Sequence, residues 1–280
     1  MKSNRCTILI NSCDAFSDVW DLFFAGLKYQ WSECMYPLML NTESKDYLEN
    51  TNVKVCHFSV PGKKDCWGKR YKNALKNIDT PYVMPLLEDF VIKEKFEGEA
   101  LLETVMDYMD ADPTIGVFYL YKHPYVKQEK TEYEGFGILP DNAKYKLTTA
   151  VGIWRKEYLD KCIKGIESPW EWEEYASKRA WRFHEKEYAM LEGEKEPYIF
   201  PYGGVIRRGL WHTETPELAQ KYNVDIDFNV RGFMDVNDPF RKGREYSIRK
   251  EFPKGVFTLI FWTELRKKIY QTYRKALCKL

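Results

Sequence analysis

No stretch of this sequence approaches the roughly 18 consecutive apolar residues that a membrane-spanning helix needs, which argues against a helical membrane span. There is also no charge excess of either sign. Forty-three basic and 42 acidic residues leave a net charge of +1, too balanced for a protein held on nucleic acid by a globally basic surface. The seven cysteines are odd in number and scattered, with no C-x-x-C pair. Zinc-finger spacing and a disulfide-stapled secreted scaffold are therefore excluded, and reduced thiols in a cytoplasmic compartment are expected. Four histidines (His57, His123, His184, His212) lack paired metal-ligand spacing and read as structural or surface groups. G-x-S-x-G, P-loop and G-x-G-x-x-G motifs are missing. Met1–Arg5 runs straight into Ile8-Leu9-Ile10, too short an apolar run for a signal-peptide core. Internal repeats and low-complexity tracts are absent.

What the chain does have is apolar and aromatic mass. With 280 residues, 44% of them hydrophobic, it buries a sizeable core, so wholesale disorder is ruled out. Twenty Tyr, nine Trp and 16 Phe are either extra core or flat platforms for sugars and bases, and composition alone favours core.

Short apolar runs alternate with helical patterns over the first 120 residues, the signature of an α/β sheet with parallel strands. Strands are predicted at 7–10, 37–40, 53–60, 82–87 and 115–120, and helices at 18–29, 65–78 and 98–109. Tyr82–Leu87 is continuously apolar, as in a central strand buried on both faces. After residue 120 the pattern loosens. Tyr121–Lys146 is polar and reads as an insertion or mobile segment. A strand at 148–154, helices at 156–164 and 170–183, a Gly203-Gly204 turn and a short helix from Pro216 follow. Residues 256–280 carry +5, against −4 for all the rest. Aromatics beside this charge read as a basic amphipathic helix, either lying on an anionic membrane surface or docked on the domain.

Four constellations can carry chemistry. Glu88-Asp89-Phe90 stops the buried strand at its carboxyl end, where open parallel sheets bind ligands. Adjacent acids there suit a divalent cation, Mg²⁺ or Mn²⁺, bridging a diphosphate, or else an acidic exit that caps the next helix. Trp67-Gly68-Lys69-Arg70 opens a helix whose N-terminus favours anions, with Arg able to fork onto phosphate; a core Trp with a solvated Arg is the plain alternative. In Ser168-Pro169-Trp170-Glu171-Trp172-Glu173-Glu174, Ser168 is an N-cap and the acids suit the helix dipole. A carboxylate held between two tryptophans there is poised as a general base. Gly203-Gly204 with Arg207-Arg208 suits an anionic ligand or a basic tight turn.

These motifs, in their order, resemble the GT-A-type glycosyltransferases of bacterial capsule and surface-polysaccharide clusters. The resemblance runs over residues 5–235. It rests on Ile8-Leu9-Ile10-Asn11-Ser12-Cys13-Asp14, Asp18-Val19-Trp20, the 37–40 strand with Asn41-Thr42-Glu43, Trp67–Arg70, the strand ending in Glu88-Asp89-Phe90, Pro169–Glu173 and Gly203-Gly204-Val205. It implies a GT-A-like, Rossmann-like α/β mixed sheet flanked by helices, followed by the basic helical tail. One domain would span 1–255, with a nucleotide-sugar half (1–120) and an acceptor half (121–255), before the tail at 256–280. The implied activity is transfer of a sugar from a nucleotide-sugar donor to a hydroxyl of a glycan or polyprenyl-linked acceptor, with inversion. The resemblance places Ser12 and Asp14 at the nucleoside, Glu43 at the base, and Trp67, Arg70 and Gly204 around the donor. Glu88 and Asp89 stand at the place of the D-x-D metal motif, with Mn²⁺ or Mg²⁺ as cofactor, although here the motif reads Glu-Asp-Phe. Glu173, or its neighbours Glu171 and Glu174, stands where the general base is. The implied location is cytoplasmic and peripheral on the inner face of the membrane. Two rivals remain: a sugar-nucleotide nucleotidyltransferase, and a non-catalytic glycan-binding or assembly protein on the same sheet.

Overall fold

Eight strands form one sheet in the computed structural model, which describes residues 5–48, 52–57, 67–165 and 167–235. They are β1 (Cys6–Asn11), β2 (Leu38–Thr42), β3 (Val53–His57), β4 (Tyr82–Leu87), β5 (Ile115–Tyr119), β6 (Phe136–Ile138), β7 (Gly152–Arg155) and β8 (Lys186–Met190). Their spatial order is β3-β2-β1-β4-β7-β5-β8-β6. The first four run parallel, and β7 is antiparallel to both β4 and β5. Strands β5 and β8 are parallel, and β6 closes the edge antiparallel to β8. The sheet is thus mixed α/β, as the alternation of apolar runs predicts.

Helices α1 (Trp20–Gln30), α2 (Trp67–Lys76), α3 (Glu99–Ala111), α4 (Lys156–Cys162), α5 (Pro169–Arg179) and α6 (Thr215–Tyr222) cover the two faces. Side chains alternate across a strand, so each face of β1 and β4 serves a different core. Ile8, Ile10, Met84 and Leu86 pack with Phe23 and Leu27 of α1 and Leu102 and Val105 of α3. Leu9 and Val83 face the other way, onto Tyr71 and Leu75 of α2, Leu159 of α4 and Trp172 of α5. Burying β4 on both sides explains why its sequence is a continuous apolar run. No helix among the described residues is long and apolar enough to cross a membrane.

Two expectations are corrected, and one strand, β8, is added that the sequence reading did not place. Tyr121–Lys146 is not a loose insertion: Val126, Tyr133, Leu139 and Lys146 are buried and the segment supplies edge strand β6. Strand β8 carries no strong apolar signal because Glu187, fully buried within it, is ion-paired to Lys146 at 2.9 Å and accepts the Tyr158 hydroxyl. Asp141 caps the same ammonium at 2.8 Å. Lys146, from a segment that reads as polar, and Glu187 are therefore internal. Finally, β7 starts only at Gly152, and Thr148-Thr149 stays a loop because both hydroxyls and the Thr149 amide bond to a carboxylate on α5. The expected tail helix at 256–280, the end of the third strand at 58–60 and the first turn of the second helix at 65–66 lie outside the described residues.

Candidate active site

The strand order reverses between β1 and β4, the place where an open α/β sheet leaves a crevice beyond its strand ends. Register aligns those ends: Asn11 of β1 stands opposite Asn41 of β2 and Leu87 of β4. Ser12, Glu43 and the Glu88-Asp89 pair, each at or just past a strand end, therefore emerge together.

Glu88 is 8% exposed. Burial, reinforced by the adjacent charge of Asp89, raises its carboxyl well above the usual range; the Ser12 hydroxyl and the Arg231 guanidinium pull the other way. Burial likewise pushes Asp89 up to about 7. Asp89 Oδ1 is buried with no hydrogen-bond partner among the described residues. Its other oxygen lies against Gly204, where a Cβ would sit 2.4 Å from Oδ2, and the Val205 amide donates to the Asp89 carbonyl at 2.8 Å. Gly204 also holds φ +81°, a left-handed conformation that side chains disfavour. Gly203 has φ +79° but only Arg207 Cδ at 3.8 Å. Gly204→Ala is accordingly expected to destabilise the protein more than Gly203→Ala, by about 1–3 kcal/mol beyond it, read as the difference in urea midpoints. Equal losses would mean that Asp89 is not pressed against residue 204.

The neighbouring acids and Arg70 brace the strand-end loops. The Asp14 carboxylate accepts from the Thr42 hydroxyl at 2.8 Å, from the Ser44 and Lys45 amides at 3.0 Å each, and from the Ser44 hydroxyl. Burial opposes its charge, but these bonds outweigh burial and hold it well below the usual carboxylate range. Glu43 accepts the Asp14 amide at 3.1 Å and the Arg70 guanidinium at 2.9 Å. Arg70, 6% exposed, also reaches the Ser12 carbonyl at 3.4 Å. The three residues expected at the nucleoside and base, Ser12, Asp14 and Glu43, are thus adjacent, joined through Arg70. The guanidinium expected on the diphosphate is engaged in tying β1, β2 and α2 together.

Trp67 opens α2 with its ring edge-on to Tyr71 at 5.0 Å and tilted to Trp172 at 5.9 Å. With Asn11, Leu87, Thr148 and Thr149 these rings line a small crevice beside the strand ends. The expected anion site on the first turn of α2 is partly occupied, since the Gly68 amide donates to the Glu167 carbonyl at 3.0 Å. Glu173 Oε1 accepts the Thr148 hydroxyl, the Thr149 amide and the Thr149 hydroxyl, each at 2.8 Å, and so shapes the wall of the crevice. Glu171 is used differently: its carboxylate accepts the Ser168 amide at 2.9 Å in a capping box. The expected enclosure of a carboxylate between two tryptophans is corrected, because Trp170 is 77% exposed while Trp172 is buried. Glu174 pairs with Lys178 on the surface. In the 203–211 segment, Arg208-Gly209 forms the two-residue turn between β9 (Ile206–Arg207) and β10 (Leu210–Trp211), both with positive φ. That is the tight-turn reading of this motif.

One residue of the site has no sequence signal. Arg231, its side chain fully buried, forks onto Asp18 and reaches the Ala15 carbonyl at 2.9 Å. It lies 143 positions from Glu88 in the chain, beyond any local pattern.

The donor set suits a hard cation that keeps waters and shares phosphate oxygens. No group of three His, Cys, Asp or Glu side chains converges among the described residues, but one or two carboxylates plus phosphate is how Mg²⁺ is ordinarily held. A buried, unpartnered Asp89 oxygen beside a second carboxylate fits that chemistry.

No family model matches the sequence, and no curated protein matches it. Among solved structures the chain is similar to TarS residues 1–349 of S. aureus in complex with UDP (12% identity, 81% of this chain and 68% of that one, TM-score 0.43). It is also similar to CMP:2-keto-3-deoxy-manno-octonic acid synthetase complexed with CTP (10%, 71% and 94%, 0.42). A cytidylyltransferase of Leptospira borgpetersenii matches at 13% identity over 70% of this chain and 78% of that one, with a TM-score of 0.40. None of these scores assigns an activity, which has to come from the site.

Proposed function

We propose that this chain is a glycosyltransferase that moves a sugar from a nucleotide-sugar donor to a hydroxyl of a glycan or lipid-linked acceptor in surface-polysaccharide synthesis. The observation that carries this reading is the Glu88-Asp89 pair at the topological switch point, Glu88 buried and Asp89 half-buried, with the buried Asp89 Oδ1 lacking a hydrogen-bond partner among the described residues. Two buried like charges are unfavourable unless a cation or a proton joins them. A divalent cation bound there supplies charge to stabilise a leaving diphosphate.

The chain's own residues divide the remaining work. Ser12, Asp14 and Glu43, rigidly braced by Arg70, form the floor for the nucleoside. The Trp67–Trp172 crevice faces the transferred sugar and the acceptor. Glu173, bonded to the two threonines that line the crevice, takes the acceptor hydroxyl's proton as that hydroxyl attacks C1 from the side opposite the diphosphate, giving inversion. The nucleotidyltransferase alternative needs a Gly-rich basic loop after the first strand. Here the 3₁₀ turn at Asp14–Val19 contains neither glycine nor a basic residue. The basic 256–280 segment is assigned the contact with an anionic membrane surface where a polyprenyl-linked acceptor resides.

The test is a thermal-shift panel of UDP-, GDP-, dTDP- and CMP-sugars with and without Mn²⁺. One nucleotide class is expected to stabilise only with Mn²⁺, by roughly 2.7 kcal/mol at a hundredfold excess over Kd. Stabilisation independent of metal removes the cation role of Glu88 and Asp89, and silence across the panel sinks the donor assignment. With the donor identified, Glu173→Gln is expected to lower turnover about 100-fold while leaving donor binding unchanged, because a glutamine oxygen still accepts from the two threonines. A loss below tenfold would instead leave Glu173 as a brace for the threonine loop.

A further inference from the structure

Among the described residues two tryptophans, Trp170 and Trp181, are mainly exposed, at 77% and 67%; the others are buried or, for Trp67, half-buried. Both exposed rings stand on one element. Trp170 is in the first turn of α5, and Trp181 is in the 3₁₀ turn (Ala180–Arg182) that prolongs it. Eleven positions separate them, close to three helical turns, so the two indoles share a face and lie roughly 16 Å apart along the axis. Trp172 and Arg179, on the opposite side of the helix, are buried. Exposed apolar side chains scattered singly are ordinary, but two of the largest aligned on one helix face mark a surface that is used. The Arg182 guanidinium lies 5.3 Å from the Trp181 ring and steadies it.

The charge between the two rings selects the partner. Glu174 and Lys178 pair there at 2.6 Å, so the middle of the stripe carries no net charge. An anionic leaflet or a nucleic acid is drawn by clustered Lys and Arg, and an acid in the stripe works against either. A neutral polyhydroxyl chain fits instead: its C–H faces lie on flat rings, while its hydroxyls donate to a carboxylate and accept from an ammonium. The stripe is also continuous with the candidate site. Glu173, which holds the Thr148-Thr149 loop of the crevice, stands three positions from Trp170 and neighbours it on the helix surface.

We propose that this face of α5 binds the acceptor as an extended, uncharged oligosaccharide, with Trp170 stacked on a sugar close to the reacting hydroxyl and Trp181 on one farther back. The inference rests on the glycosyltransferase reading above and narrows it: the acceptor is a chain long enough to span both indoles.

The test uses the full chain labelled with fluorotryptophan, its resonances assigned by single Trp→Phe changes, so that fluorine NMR reads each indole separately. The probes are glucose, the linear hexasaccharides maltohexaose, cellohexaose and chitohexaose, and vesicles of phosphatidylcholine with phosphatidylglycerol. At least one hexasaccharide is expected to shift Trp170 and Trp181 while leaving the buried Trp31 in place, and glucose to shift neither. Trp170→Ala and Trp181→Ala are each expected to weaken that hexasaccharide about tenfold, the effect of losing one stacked ring. The urea midpoint and nucleotide-sugar binding should not change, since both positions are exposed. Silence with every hexasaccharide, shifts confined to Trp67 and Trp172, or unchanged affinity in both variants overturns the proposal. Shifts of the two indoles by vesicles but not by hexasaccharides overturn it in favour of a membrane-facing surface. The donor panel separates the two readings. Nucleotide-sugar binding with both indoles silent removes this face and leaves the glycosyltransferase reading standing. Hexasaccharide binding on both indoles with no donor bound removes the catalytic reading and leaves a glycan-binding surface.

Discussion

Asp89→Asn is expected to lower turnover by a factor on the order of a thousand, the scale of losing several kcal/mol of cation-assisted charge stabilisation, while making the metal-free protein more stable above neutral pH. Few substitutions separate function and stability this cleanly. The separation follows from burial: two carboxylates side by side, Glu88 raised by burial and by its neighbour and Asp89 pushed up to about 7 by burial, repel each other whenever both are ionised. The sign follows from proton counting. The folded state holds a proton on this pair that the unfolded chain gives up near pH 4, so stability falls as pH rises from about 4 to about 7. Carboxylates held low, such as Asp14, Asp110 and Asp112, act in the opposite sense but lose their contribution only as pH falls below the unfolded carboxylate value. His123, lowered by burial, adds stability as pH rises through its unfolded value, but does so equally in both proteins and cancels in the comparison. Melting curves at pH 5 and pH 8 in chelator test the idea. The unaltered protein should lose more stability between the two than Asp89→Asn, by a few °C in Tm. An equal or smaller loss would show that the pair is not electrostatically coupled in the fold.

Arg179→Met should be the most damaging single change outside the site, costing about 3–5 kcal/mol in urea unfolding. Arg179 and Glu167, 5% and 4% exposed, form a two-pronged pair at 2.6 and 3.0 Å. Arg179 also reaches the Cys162 carbonyl at 3.2 Å, which the Trp172 indole shares. Removing the cation leaves a carboxylate buried without its counter-charge, and that uncompensated charge is the source of the loss. The double change Glu167→Gln with Arg179→Met should therefore recover most of it. A double variant as unstable as the sum of the singles would mean that packing, not charge, dominates. Function should follow stability here, because the Glu167 carbonyl receives the Gly68 amide and a Cβ on Gly68 would lie 2.2 Å from the Lys164 carbonyl. The segment this ion pair anchors is the one that seats Trp67 and the start of α2.

Local sequence was sufficient wherever the physics is local. The apolar run of β4, the 3.6-residue spacing of α1 and α3, the Ser168-Pro169 start of α5 and the acids at the end of β4 are consequences of burial, periodicity and capping over fewer than a dozen residues. Those signals placed the carboxyl ends of the first strands and the Glu88-Asp89 pair just past β4. Tertiary structure decided everything that depends on a partner distant in the chain. It made Arg70 a brace because Glu43 lies within reach across the strand ends, and gave Glu171 to the helix cap while Glu173 holds the Thr148-Thr149 loop. It buried Lys146, from a segment polar in sequence, against Glu187. It brought Arg231 to the site from the far end of the described chain. A charge's role is set by what stands within a few ångströms of it, and the linear order of residues does not carry that distance.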